Sequence, residues 1–269
     1  MISMISHSKY KGLKDVLNGL QGISLPIYLA RADIRQRYRR SSLGPFWITI
    51  STAVMIACIG LIFGRLFKSP MEEFLPFLAA GLIVWGQISS TLSESTVVFS
   101  NSEAVIKQLP LPLFVHVMRM VFRNFYIFLH NILVYPIVLL CVGKPLNIFV
   151  FLFLPGILLL LINLLWMALL IGIVCARFRD LSQIVNSFLQ IVFYVTPIIW
   201  MPKLLSSRSE VFVLGPNPFY HLIEIVRAPL LGACPSLVNY VFSVVLALFG
   251  WSFTLFVFNK FRGRIAYWL

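Results

Sequence analysis

Charge is scarce in this sequence, and acidic charge scarcest: 12% of the 269 residues are charged, against 59% hydrophobic. A water-soluble globule carries roughly a quarter charged residues, so a soluble fold of this length is excluded. Cysteine is scarce as well. Cys58, Cys141, Cys175 and Cys234 are scattered, with no C-x-x-C pair, which excludes a disulfide framework and a zinc ribbon. The four histidines are equally dispersed. There is no G-x-x-x-x-G-K-[ST] loop, so ATP is not bound in the P-loop manner. No G-x-S-x-G elbow and no H-E-x-x-H pair is present, and the hydrolase and zinc-peptidase chemistries lack their residues. No short apolar core with a small-residue cleavage site precedes the first long apolar run, and no cleavable leader is read.

What is present is apolar length. The mean hydropathy is +0.92, and charges cluster between long runs, the pattern of a polytopic helical membrane protein. Six spans are expected, at about 45–67, 74–92, 125–142, 149–176, 184–200 and 237–258. The net charge of +13 would suggest nucleic acid in a soluble chain, but no basic run lies outside the flanks of the spans. Arg65, Lys68, Lys144, Lys203, Arg208 and Arg227 fall on one side, and the other sixteen of the 22 Lys and Arg on the side of both termini. The positive-inside rule then places both termini in the cytosol.

The stretch RADIRQRYRRSSLGPFW, 31–47, joins an amphipathic helix to the first span. Ile27, Ala30, Ile34 and Tyr38 make an apolar stripe at helical spacing, beside a basic row of Arg31, Arg35 and Arg39 with Arg37 and Arg40. Such a helix suits the membrane surface, its stripe sunk and its arginines at phosphate level. In the second span Gln87, Ser90, Thr91 and Glu94 share one face, which is expected to meet protein or water. Residues 101–114, NSEAVIKQLPLPLF, form a helix too short to span, with Ser102 at its N-cap and Pro110 ending it. Along the fifth span Gln183, Asn186, Ser187, Gln190 and Tyr194 form a polar stripe, and Thr49 and Thr52 give the first span a shorter one. Amides, hydroxyls and an aromatic ring suit a hydrated sugar; helix-to-helix hydrogen bonding is the competing role. His130, Asn131 and Asn163 are candidates for a polar cluster. Pro216, Pro218 and Pro229 break 211–232 into short re-entrant or interfacial helices rather than a span.

Taken in order, the basic helix entering the first span, EAVIKQLPLPLF, ARFRDLSQIV, NPFYHLIEIVRAPLLG and the tail RIAYWL resemble the membrane permease subunit of bacterial ABC exporters of lipid-linked polysaccharide, most closely the O-antigen permeases. The resemblance covers nearly the whole chain. It implies an all-α membrane protein, with residues 1–44 a cytosolic N-terminus and interface helix and 45–269 a six-span permease domain. It implies a multi-pass inner-membrane homodimer with two ABC ATPase subunits docked beneath. ATP and Mg would bind to those subunits, and this chain would hold no cofactor or metal and carry no catalytic residue. The helix at about 102–110 would couple to the ATPase through Glu103, Ile106, Lys107 and Leu109. The arginines of the interface helix would meet headgroups. Thr49, Thr52 and the stripe of the fifth span would line a channel. Short periplasmic helices at about 211–232 would form an outer gate, with Asn217, Pro218, Tyr220 and Arg227. The cargo would be an undecaprenyl-diphosphate-linked O-antigen polysaccharide moving from cytosol to periplasm. Capsular polysaccharide, teichoic acid, a small amphiphile or drug, and a channel without an ATPase remain alternatives.

Overall fold

A computed structural model describes residues 11–269 except 40, 42, 45, 68, 146 and 205–211. Arg40, Pro45, Arg208 and the first residue of the 211–232 segment therefore lie outside the described residues. Every regular element described is helical. Twelve helices are used here: α1 Lys11–Gln21, α2 Ser24–Arg37, α3 Phe46–Leu66, α4 Met71–Ser95, α5 Glu103–Gln108, α6 Leu113–Asn131, α7 Val134–Cys141, α8 Phe153–Arg177, α9 Leu181–Val195, α10 Pro218–Leu230, α11 Leu237–Phe261 and α12 Ile265–Trp268. Among the described residues, five stretches are long and apolar enough to cross a bilayer: α3, α4, α6 with α7, α8 with its short lead-in turn, and α11 with the tail.

The expected fifth span is the exception. Its helix, α9, has 15 residues, about 22 Å at roughly 1.5 Å per residue, against an apolar thickness of about 30 Å. It ends at Val195 rather than near Trp200 because Pro197 forces the preceding residue out of the helical region; Thr196 is extended at φ −83°, ψ 135°. The third span departs the other way. Its helix begins at Leu113, well before the expected Phe125, because a side chain from far upstream caps it. The Asp15 carboxylate accepts hydrogen bonds from the backbone N–H groups of Leu113 and Phe114 at 3.1 and 3.0 Å. An acid there satisfies orphan donors and complements the helix dipole.

The helix α4 is the axis of the bundle. Sixteen of its residues are buried, and it packs against α3, α6, α7, α8, α9 and α10. Close approaches elsewhere depend on glycine. A Cβ on Gly156 would fall onto the carbonyl oxygen of Ile225, and one on Gly250 into the indole of Trp166. These two positions let α8 pack tightly on α10 and on α11.

The first described helix meets the end of the last long one. Gly12 and Leu13 donate backbone N–H bonds to Asn259 Oδ1 at 2.7 and 3.1 Å, and Asp15 pairs with Arg262 at 2.8 Å. Helix α1 was not expected as a helix; Gly12, Asp15, Val16 and Gly19 form its buried face. N- and C-terminal helices therefore lie at one end of the bundle. At the opposite end Lys203 pairs with Glu73, and Tyr135 Oη donates to the Leu230 carbonyl at 2.6 Å.

Replacing Gly250 with Leu should overpack the α8–α11 contact and destabilise the fold by about 1–3 kcal/mol. Thermal unfolding in detergent, followed by size-exclusion fluorescence, reads the drop; an unchanged midpoint would contradict the packing described.

Candidate functional site

Beneath the bundle, at the end carrying both termini, α2 lies along α6. The stripe predicted to sink into lipid is turned to protein: Ala30 is fully buried, and Ile27, Ile34 and Tyr38 are half-buried. Between the helices sits a charged cluster. Arg119 Nε and Nη2 clasp the Asp33 carboxylate at 2.8 and 2.5 Å. Arg123 bridges Asp33 at 3.3 Å and Glu94 at 2.6 Å, and Asn124 also donates to Glu94 at 2.9 Å. Three elements, α2, α4 and α6, are thus tied by two carboxylates. Burial alone would raise the Asp33 carboxyl, but hydrogen bonds and charge from Arg119, then Arg123, hold it below its ordinary value. In the sequence Arg119 and Arg123 read as topological charges; their partners lie 29 to 90 residues away.

The cluster opens on a cavity of about 250 Å³ lined by Arg37, Glu94, Asn101, Ser102, His116, Arg119 and Arg123. His116 is 3% exposed, and neither ring nitrogen has a partner among the described residues. Arg31 Nε donates to Tyr126 Oη at 2.7 Å. Arg35, Arg37 and Arg39 are exposed.

The same end carries α5. Ser102 stands at its N-cap but makes no side-chain capping bond, since a 3-10 turn, Ser100–Ser102, leads into the helix. Glu103 and Lys107 pair across one turn at 2.6 Å on the surface. Leu109 is half exposed, whereas Ile106 packs inward on a cluster that includes Val98, Ala176 and Ile265. Helix α12 touches α5 and α8.

On α9 the polar stripe is on the surface of the single chain: Gln183, Ser187, Gln190 and Tyr194 are exposed. Asn186 is half-buried and accepts from Ser93 Oγ at 2.6 Å, so one member of the stripe is helix-to-helix glue. Thr52 is half-buried, and Thr49 is 9% exposed, turned into the bundle. The polar face of α4 meets protein as expected: Gln87 and Thr91 are buried and bonded to each other.

At the far end Asn217 caps α10, its Oδ1 accepting from Phe219 and Tyr220 N–H, and its amide donates to Thr196 Oγ1 at 2.9 Å. Pro218 occupies the first turn, where a missing N–H costs nothing. Tyr220 is half-buried beside the His221 ring. Arg227 is fully buried, not at the outer surface: it donates to the Pro197 carbonyl at 2.6 Å, pairs with Glu224, and lies 4.0 Å from the Phe77 ring centroid. It braces the end of α9 against α4, a role the sequence did not signal. His130, Asn131 and Asn163 do not assemble. Asn163 bonds the Leu159 and Ser243 carbonyls and Trp166, while His130 bonds the Tyr126 carbonyl.

Long apolar helices around a buried axis, with charged helices folded under one end, define a polytopic helical membrane protein. The profile of the ABC-2 type transporter family matches residues 27–231, and the chain belongs to that family. It is 23% identical over 257 residues to the O-antigen export system permease protein RfbA of Klebsiella pneumoniae, covering 90% of this chain and 93% of that one. It is 24% identical over 205 residues to the O-antigen export system permease protein RfbA of Myxococcus xanthus, covering 76% and 79%. As a member of that family, the chain is a transporter.

Asp33→Asn would leave Arg119 and Arg123 short of an anion, at a cost of about 1–3 kcal/mol for charge-assisted bonds. The sign of the pH effect follows from the lowered carboxyl. Asp33 contributes stability above its unfolded value, and that is lost as pH falls through the lower folded value. Thermal midpoints between pH 7 and pH 3 should fall less steeply in the variant; identical slopes would contradict the pairing.

Proposed function

We propose that this chain is the membrane subunit of an ABC exporter that carries lipid-linked O-antigen polysaccharide out of the cytosol. The observation that carries the reading is alignment over almost the whole length of the Klebsiella permease, joined to a charged end built of short helices. The termini lie in the cytosol, where the positive excess gathers. ATP and Mg bind on two separate ATPase subunits docked under that end. Helix α5 enters a cleft of the ATPase, presenting Lys107 and Leu109. Its push reaches α4 and α6 through the segment that ends at Glu94 and the Arg123 and Arg119 pairs.

The chain works as a homodimer. Helices α3 and α9 flank α4 and keep exposed apolar faces, with Ile50, Val54, Ile184 and Ile191 among them. The exposed stripe Gln183, Ser187, Gln190 and Tyr194 would cost roughly 1–3 kcal/mol per group against lipid. It faces a partner copy or a hydrated glycan instead, and Tyr194 offers a ring to a sugar face. The carrier is an undecaprenyl diphosphate, whose phosphates suit the exposed Arg35, Arg37 and Arg39 through bidentate pairing. Helix α10 closes the outer end.

Because Leu109 is exposed and Ile106 is not, Leu109→Asp tests the ATPase contact with less damage to the fold. The variant should reach the membrane at normal level and lose most O-antigen export, read by surface immunoblot; normal export would remove α5 from the coupling role. Cysteines placed singly at Gln183, Ser187, Gln190 and Tyr194, in a background without the native four, should react with a water-soluble thiol reagent, and stalled glycan should block them. Four inert positions in a transporting complex would put the path elsewhere. Cys234, exposed at the end opposite the termini, should react from the periplasmic side; reaction only from the cytosolic side would reverse the topology.

A further inference from the structure

Between the last turns of α8 and α11 lies a groove of about 390 Å³ with a predominantly apolar lining. Ile173, Val174 and Val257 form its floor, and Arg177, Arg264 and Trp268 its lip. Ile173 and Val174 sit about one turn above Arg177 on the same helix, so the floor climbs along the span toward the hydrocarbon while the cations stay at its edge. Arg177 Cζ stands 5.7 Å from the Trp268 ring centroid. Among the described residues neither Arg177 nor Arg264 is paired with a carboxylate.

A channel that is apolar inside and carries two unpaired guanidiniums at its mouth has the polarity of a phospholipid laid end-on. The acyl chain covers the floor and the phosphate meets the arginines, which bind phosphate through a planar fork. A free phosphate would leave the floor bare. A soluble protein partner would have to rise into the height of the spans to fill it. We propose that this groove holds one anionic phospholipid of the leaflet on the side of the termini. Through α12, which touches both α8 and α5, that lipid steadies the short helix beside it. The proposal stands independently of what the protein exports.

The test is native mass spectrometry of the purified complex with its ATPase, titrated with phosphatidylglycerol and with phosphatidylcholine of equal chain length. Each basic residue near a headgroup strengthens anionic-lipid binding by about fivefold, so with Arg177 and Arg264 the wild type should prefer phosphatidylglycerol by about twenty-five-fold. Arg177→Gln with Arg264→Gln should abolish the preference. Arg177→Lys with Arg264→Lys should keep part of it and serves as the folding control, and Lys144→Gln at the opposite end should leave it whole. An undiminished preference in the glutamine double variant would overturn the proposal. So would no preference in the wild type, or a preference seen in the permease alone and lost once the ATPase is docked, which would make the groove a protein contact.

Discussion

Two carboxylates, Asp33 and Glu94, hold Arg119 and Arg123 where the bundle meets its surface helices. A guanidinium at that depth, a few turns inside the helix of a span, is tolerated only when paired. The requirement acts in both directions. The arginines gain their carboxylate partner when α2 lies against α6, and α2 gains both that pairing and burial of Ala30. One electrostatic constraint therefore docks a helix that composition alone would leave lying flat on lipid. It also ties that helix to α4, against which α3, α6, α7, α8, α9 and α10 pack.

A second polar staple works on the same principle a few residues away. Asp15 caps α6 and pairs with Arg262 of the tail, so the first described helix, the third span and the last one share a single side chain. The two staples make the terminal end of the protein a continuous platform, from α1 and α2 through α5 to α12. The opposite end is held by Arg227 and the Asn217 cap. Between the two ends packing is mainly apolar, with the Gln87–Thr91 bond and the Asn163 bond to the Ser243 carbonyl among the polar contacts. A movement imposed on the platform would be passed on as a rigid shift of α4 and α6, because close-packed helices transmit displacement rather than absorb it.

Much of this was legible in the sequence. Hydropathy located the spans to within a few residues for α3, α8 and α11, because each is a long apolar run with a charged or proline boundary. The shared face of Gln87, Ser90, Thr91 and Glu94 was read as meeting protein or water, since period alone decides which residues align, and Gln87 and Thr91 are buried. What was not legible depends on partners distant in the chain. The early start of α6 follows from Asp15, about a hundred residues before it. The burial of the α2 stripe follows from Asp33 meeting Arg119. Arg227 was read as a residue of the outer gate helices, because nothing local announces the Pro197 carbonyl and the Phe77 ring that receive it. The early end of α9 was readable from Pro197, but the expected span runs through that proline to about 200. The stripe on α9 was found by spacing, while the bond from Ser93 that removes Asn186 from its free face could not be.

The central claim is that this chain moves lipid-linked glycan only as one half of a machine whose ATP-burning half docks beneath the charged platform. Reconstitution of both proteins in vesicles carrying the glycan carrier tests it directly, with translocation read as the glycan becoming accessible to a glycosidase on the far side. Access should require this chain, the ATPase and Mg-ATP together, and should vanish when any one is omitted. Glycan reaching the far side without ATP, or equally well without this chain, would contradict the account.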